Sequence, residues 1–176
     1  MWEVFQNFHL INCSLASNFV QKSLQKPTSM KSNIKAQVSI NIHAAISNVW
    51  EALTNPDTIK KYFFGTNTIT DWKVGSPIKF KGEWEGKSYE DKGTILEIQK
   101  NKLIKYDYWS SMSGIEDKPE NYVIVTYQLS GEDENVNLSV VQENIPDEKM
   151  KTHSEENWNK VLNGLKKVVE EKFVSA

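Results

Sequence analysis

The order of its sequence patterns most constrains what this chain can fold into. A strand pattern comes first, with Val38, Ile40 and Ile42 on one face. Two short helical stretches follow, and then six strand patterns separated by polar turns. The chain closes on a helix whose apolar residues recur every three or four positions from Trp158 to Phe173. Because strands and helices are segregated along the chain, this order predicts an α+β fold with an antiparallel sheet.

The six later strand patterns alternate apolar and polar residues, as half-buried strands do. Glu85-Gly86 is a tight-turn sequence, so the strands on either side of it are expected to be antiparallel neighbours. The predicted strands are Thr66–Trp72, Ile78–Trp84, Lys87–Ile98, Leu103–Trp109, Val123–Leu129 and Val136–Val140. Together with Ile34–Ile42 they make a sheet of about seven strands, which curves around the long helix. A pocket is expected between helix and sheet.

Local signals predict where the helices begin. Ser47 is a candidate N-cap for the first short helix, and Pro56 suits the start of the second, over Asp57–Tyr62. Thr152-x-x-Glu155 resembles a capping box for the long helix. Gly164 lies on or beside the inner face of that helix. A glycine inside a helix is tolerated where it lets another backbone approach closely or leaves room for a pocket, and the alternative is that Gly164 lies at the flank of the helix without a role.

Residues 1–33 do not share the periodicity of the rest of the chain. Glu3 and several polar residues interrupt their apolar stretches, which argues against a secretory signal. We predict that residues 1–33 are an extension, disordered or upstream of a true start at Met30. Residues 34–174 are predicted to form the folded domain.

Composition excludes several functional classes. The net charge of the 176 residues is -2, which argues against general nucleic-acid binding. All 21 basic residues are lysines, so the chain has no guanidinium to grip a phosphate or carboxylate in bidentate fashion. The single cysteine, Cys13, excludes an intramolecular disulfide, and no apolar run is long enough to predict a membrane span. We expect a cytoplasmic protein.

Motifs for catalysis and metal binding are not found in the sequence. His9, His43 and His153 are far apart and lack metal-ligand spacing, so we expect no metal and no cofactor. No nucleophile or phosphate-loop motif occurs, and we assign no catalytic residue. Asp91 or Glu97 is the candidate for an inward acid, depending on a strand register that the sequence does not determine.

Aromatic side chains on the predicted sheet and closing helix are the strongest functional feature. Core packing is one interpretation, and we adopt it for Trp50 and Phe80. Several tyrosines and tryptophans around one space would instead form an amphipathic pocket with few polar groups. The predicted ligand-binding residues are Trp84, Tyr106, Tyr108, Tyr127, Trp158 and Leu162.

Four stretches, in order, resemble one protein superfamily. They are Ser47–Asp57 (SNVWEALTNPD), Asp71–Gly75 (DWKVG), Gly93–Ile98 (GTILEI) with Leu103–Tyr106 (LIKY), and Asn157–Lys167 (NWNKVLNGLKK). They resemble the START-like, or SRPBCC, superfamily, in the branch similar to the activator of heat-shock protein 90 ATPase. The likeness covers about Ile34 to Lys172.

The resemblance implies a helix-grip fold but does not select one function, because the superfamily hosts binders, enzymes and co-chaperones. We expect a non-catalytic protein that holds a small hydrophobic or amphipathic ligand between sheet and helix. One alternative is a stress-related co-chaperone acting on heat-shock protein 90. Another is an enzyme of the cyclase or hydratase type using the same cavity. The oligomeric state and the role of the loop Ser110–Glu120, lid or connector, stay open.

Overall fold

A seven-stranded antiparallel sheet forms the body of this computed structural model, which describes residues 33–132 and 134–173. Its strands are β1 (Ile34–His43), β2 (Asn67–Ile69), β3 (Pro77–Trp84), β4 (Lys87–Gln99), β5 (Leu103–Tyr108), β6 (Val123–Glu132) and β7 (Asn135–Ile145). Their spatial order is β1-β7-β6-β5-β4-β3-β2, so the first and last strands are neighbours. Apart from residue 33, the predicted extension lies outside the described residues.

Over the described residues the fold is completed by three α-helices, α1 (Ile46–Thr54), α2 (Pro56–Tyr62) and α3 (Glu148–Phe173), and by a short 3-10 helix, Pro119–Asn121. The long helix α3 packs chiefly against β1 and α2, and the sheet curves around it. The predicted α+β helix-grip architecture is therefore confirmed. Among the described helices, none combines the length and the apolar character needed to cross a membrane.

The core lies between α3 and the facing side of the sheet. Strand β1 pairs with β7 so that Ile40 lies opposite Leu138 and Ile42 lies opposite Val136, which brings their apolar faces into register. Leu165 and Val169 of α3 are fully buried in the same core. Burying a side chain of this size contributes about 1.5–3 kcal/mol, so this layer holds helix and sheet together.

Two predicted helix starts are wrong. The Ala45 carbonyl accepts hydrogen bonds from the amides of Asn48 and Val49, so α1 begins at Ile46 and Ser47 lies inside it. The predicted capping box at Thr152 is also inside a helix, because α3 begins four residues earlier, at Glu148. There Asp147 Oδ1 accepts from the Met150 amide at 2.8 Å and takes the capping role. The prediction that Pro56 opens α2 is confirmed.

Three strands differ from their predicted lengths by three residues or more, and one of them, β6, runs three residues beyond Leu129, to Glu132. The predicted strand Thr66–Trp72 is only the three-residue β2, and it ends before Trp72, which has a positive φ of 56°. Strand β7 continues five residues beyond Val140, to Ile145. This longer strand brings Gln142 onto the inner face of the sheet, which matters for the site below.

Gly164 permits a close approach between two helices. A Cβ atom at this position would lie 3.3 Å from Cβ of Tyr62 in α2, with the Tyr62 carbonyl oxygen at 3.5 Å. This is tighter than a relaxed contact, so the glycine lets α3 lie directly on α2. Close approach, one of the roles considered for Gly164, is what the structure shows.

Candidate functional site

A cavity of about 350 Å³ lies between the sheet and the N-terminal half of α3. Strands β3, β4 and β5 form one wall, and the helix face from Ser154 to Val161 forms another. Phe63 and Thr66 border it after α2, and Ser110 and Met112 border it after β5. A volume of this size suits a small organic molecule.

The cavity wall is largely aromatic. The Phe80 ring centroid lies 5.7 Å from those of both Tyr106 and Tyr108. The Phe63 ring connects this group to the helix, because its centroid lies 6.2 Å from that of Phe80 and 6.3 Å from that of Trp158, on which it stacks. These contacts fix the rings as a continuous apolar surface.

Four of the six predicted ligand-binding residues line this cavity: Trp84, Tyr106, Tyr108 and Trp158. Tyr127 lies behind them, where its ring meets Trp158 edge-on at 5.6 Å and borders a second cavity of about 30 Å³. Leu162 is fully buried in the core and does not line the cavity. Ligand contact stays a prediction for the four lining residues, and the positions of Tyr127 and Leu162 do not support it for those two.

Sequence reasoning missed several lining residues. Phe80, which we assigned to plain core packing, lines the cavity with Tyr106 and Tyr108. Gln142 follows Leu138 and Val140 at alternating positions, so its inward direction was readable from the strand period. On the helix, Ser154, Asn157, Trp158 and Val161 recur at three- and four-residue spacing, which is the signal of one face.

Asp91 is the one buried carboxylate among the described residues, with 7% of its surface exposed, and it lines the cavity. It lies opposite Phe80 in the β3–β4 register. Its Oδ2 accepts a 2.5 Å hydrogen bond from the Tyr108 hydroxyl. Its Oδ1 accepts from the Ser111 amide at 2.8 Å and from the hydroxyls of Ser111 and Ser110 at 3.0 and 3.1 Å.

Burial makes the cavity tyrosines harder to ionise. Burial raises the pKa of the Tyr108 hydroxyl well above its usual value, and the adjacent Asp91 carboxylate raises that pKa further. Burial likewise raises the pKa of Tyr106. Both hydroxyls are therefore protonated at neutral pH and well above it, and the Tyr108 hydroxyl donates to Asp91.

Glu97, the other candidate inward acid, does not line the cavity. Asp91 and Glu97 would share a face in a regular strand, but a β-bulge between Ile95 and Glu97 changes the alternation. After it, Ile98 packs on the core, and Glu97 accepts a 2.6 Å hydrogen bond from Gln99. Within the described ranges, no three His, Cys, Asp or Glu side chains are grouped to hold a metal ion.

Two side chains place amide groups at the helix side of the cavity. Gln142 Oε1 accepts a 2.8 Å hydrogen bond from the Trp158 indole, which fixes that ring. Asn157 lines the cavity next to Trp158, and its buried Oδ1 has no hydrogen-bond partner within the described part of the chain. A buried acceptor without a donor is costly unless a bound molecule satisfies it.

The exposed end of the cavity lies beside the β3–β4 turn. Phe64, Glu85 and Lys87 line it and are exposed to solvent. The nearby loop after β5 is tied to the cavity wall, because Ser110 and Ser111 both bind Asp91. The loop is therefore part of the site.

Comparison with known proteins identifies the fold family. The family model described as Activator of Hsp90 ATPase homolog 1-like protein matches residues 43–170. Protein ChR145 from Cytophaga hutchinsonii has 49% sequence identity and a TM-score of 0.72, over 84% of this chain and 100% of that one. No curated protein matches the chain.

Two more distant solved structures share the fold. CalU16 from Micromonospora echinospora has 19% identity and a TM-score of 0.61, over 80% of this chain and 79% of that one. The protein described as the Aha1 dimer from Colwellia psychrerythraea has 19% identity and a TM-score of 0.61, over 78% of this chain and 96% of that one. The resemblance noted in the sequence is therefore confirmed, and this chain belongs to the Activator of Hsp90 ATPase homolog 1-like family.

Proposed function

We propose that the protein binds a small hydrophobic or amphipathic molecule in the cavity between sheet and α3, without catalysing a reaction. The observation that carries the proposal is the cavity itself, with its aromatic wall and its few polar groups. Ligand sites in proteins usually combine such a wall with a small number of groups that orient the ligand. Here those groups are Asp91 and Tyr108 at one end and Asn157 at the helix side.

Native mass spectrometry tests this proposal on protein purified gently from its own cells. A stoichiometric added mass of a few hundred daltons is the expected result. A bare mass, together with no binding of apolar dyes or aromatic probes, would contradict it.

A pair of variants then locates the ligand. Trp158→Ala removes a cavity wall, whereas Leu162→Ala removes a core side chain that does not reach the cavity. Both are expected to lower stability by about 2–5 kcal/mol. Only Trp158→Ala should abolish the added mass, and equal loss in both would mean that destabilisation is the cause.

An enzyme of the cyclase or hydratase type is a second candidate, favoured by the position of Asp91. This buried carboxylate faces the cavity beside the Tyr108 hydroxyl, so a bound substrate would meet an acid–base pair. Incubation of the protein with its recovered ligand tests this candidate by mass spectrometry of the products. Recovery of the ligand unchanged, with and without Asp91→Asn, would rule it out.

Action on heat-shock protein 90, in a cytoplasmic stress response, is a separate proposal supported by the family description alone. It requires that a molar excess of this protein stimulate the ATPase of the chaperone. Absence of stimulation would remove it and leave the ligand-binding proposal untouched.

A further inference from the structure

We propose that the cavity selects an amphipathic amine, whose protonated nitrogen lies against Asp91 and whose apolar body lies against the aromatic wall. The inference rests on the proposed function, because it assigns a chemical class to the ligand of that same cavity. It starts from the partners of Asp91.

Asp91 is a buried carboxylate held only by neutral donors. Its four hydrogen bonds come from one amide and three hydroxyls, and it forms no ion pair with any described residue. Three of these bonds go to Oδ1 and only one, from Tyr108, goes to Oδ2. A carboxylate oxygen has two lone pairs, so Oδ2 keeps one acceptor position. A cation in the cavity would use that position and compensate the buried charge.

Three lysines close to Asp91 in the β3–β4 ladder are engaged elsewhere, and Lys87, at the exposed end of the cavity, forms no ion pair with Asp91 among the described residues. Lys92, the next residue, pairs with Asp117 at 2.5 Å and lies beside the Trp109 ring. Lys79 and Lys81 pair with Glu90 at 2.8 and 2.7 Å. Adjacent strand residues face opposite sides of a sheet, so Glu90 and Lys92 lie on the face away from Asp91, where Glu90 holds Lys79 and Lys81 and Asp117 holds Lys92.

The remaining lining favours positive charge as well. Aromatic ring faces attract cations, and the rings of Phe80, Tyr106 and Tyr108 lie together on the wall that includes Asp91. Asn157 Oδ1 is a buried acceptor that still requires a donor. The charged groups of the lining are Asp91, Glu85 and Lys87, which leaves one net negative charge.

Three probes with one apolar body test the inference. 2-(2-Naphthyl)ethylamine, 2-(2-naphthyl)ethanol and 2-naphthylacetate differ mainly in the charge of the head group. Their affinities for the full chain would be measured by isothermal titration calorimetry at neutral pH. We expect the amine to bind about tenfold or more tightly than the alcohol, because a hydrogen bond to Asp91 is stronger when its donor is charged. The acetate should bind weakest, because its charge has the same sign as that of Asp91.

Two carboxamide variants connect that preference to one residue. Asp91→Asn keeps the shape of the side chain and removes its charge, whereas Glu97→Gln makes the same change on the same strand outside the cavity. Asp91→Asn should bring the amine and the alcohol to within about twofold of each other. Glu97→Gln should leave the tenfold ratio intact.

The outcomes separate this inference from the proposed function. Equal binding of amine and alcohol by the wild-type chain overturns the amine assignment while leaving a binding cavity. Preference for the acetate also overturns it, and would indicate that Lys87 controls the head group. Binding of none of the three probes overturns the inference, and the proposed function is overturned with it only if native mass spectrometry also finds a bare mass. A preference that survives Asp91→Asn overturns the role of Asp91.

Discussion

The ring of Tyr89 lies across Gly82, its direct partner in the β3–β4 register. A Cβ atom on Gly82 would lie 2.5 Å from the Tyr89 hydroxyl oxygen and 2.7 Å from Cζ. That hydroxyl lies 2.8 Å from Thr66 Oγ1, and both Tyr89 and Thr66 line the cavity. The missing side chain of Gly82 therefore sets the position of one wall of the candidate site.

Gly82→Ala is expected to lower the free energy of unfolding by about 1–3 kcal/mol, because the new methyl group displaces the Tyr89 ring. It should also weaken binding of an aromatic probe, since the displaced ring loses its contact with Thr66. Urea unfolding and calorimetry measure the two effects. In a Tyr89→Ala background the same substitution should cost much less. An equal cost in both backgrounds would show that the ring is not what the methyl group meets.

Tyr108→Phe is expected to destabilise the protein by about 1.5–3 kcal/mol, because it removes the donor to a buried carboxylate oxygen. Tyr122→Phe is the matched control. Its hydroxyl donates to Asp117 at 2.7 Å, but that pair is exposed to solvent. Water replaces the lost donor there, so the control should change stability less. Urea unfolding measures the stability lost in each variant. If Tyr122→Phe loses as much stability as Tyr108→Phe, burial is not what gives the Tyr108 hydrogen bond its larger contribution.

The ionisation of Glu90 is expected to make the free energy of unfolding depend on pH in the acid range. Hydrogen bonds and charge from Lys79 and Lys81 hold its pKa at about 2, below its ordinary 4.5. A carboxyl whose pKa is lowered by folding stabilises the native state above its unfolded pKa. That stabilisation is lost as the pH falls from about 4.5 to about 2. Glu90→Gln should therefore flatten the stability profile within this window, by a small and salt-sensitive amount, because the ion pairs are exposed.

Urea unfolding across that pH range, at low and high salt, measures the effect. The double variant Lys79→Gln/Lys81→Gln should flatten the profile in the same window, and adding Glu90→Gln to it should change little further. A wild-type profile that Glu90→Gln leaves unaltered at low salt would contradict the assignment.

The sheet was predictable because each strand carries its own apolar alternation and the turns between strands are polar. Ile40 illustrates this, since it was assigned to the apolar face of its strand from its period and lies opposite Leu138 of the predicted last strand. Helix starts were harder, because several residues near each start carry capping side chains. Ser47 and Thr152 have side chains that can cap a helix, but they lie inside α1 and α3. Ala45 and Asp147 are the residues directly before the first turns of these helices.

Most of the aromatic part of the site was predicted and Gln142 and Asn157 were readable from their periods, but the surroundings of Asp91 were not predictable. Asp91 and Glu97 are equivalent by strand period, and only the β-bulge after Ile95 separates them. The serines that bind Asp91 come from a loop about twenty residues further along the chain, which no local pattern connects to it. Tertiary packing determines such contacts, so they become visible only in the folded chain.

Gly164→Ala tests the close approach of α3 to α2. Alanine is favoured over glycine inside a helix by about 1 kcal/mol, so propensity alone predicts stabilisation. The new Cβ would instead meet Cβ, the carbonyl oxygen and Cα of Tyr62, which cannot rotate away because they belong to or adjoin the backbone of α2. Tyr62 is held further by its hydroxyl, which donates to the Ala52 carbonyl at 3.2 Å.

Overpacking of this kind costs about 1–3 kcal/mol, so we expect a net loss of about 1 kcal/mol in urea unfolding. Asn163→Ala, at the adjacent exposed position of α3, reports propensity without the contact and should be neutral or slightly stabilising. If Gly164→Ala were as stable as Asn163→Ala, α2 would have to yield to the methyl group at little cost. The glycine would then be dispensable for helix packing.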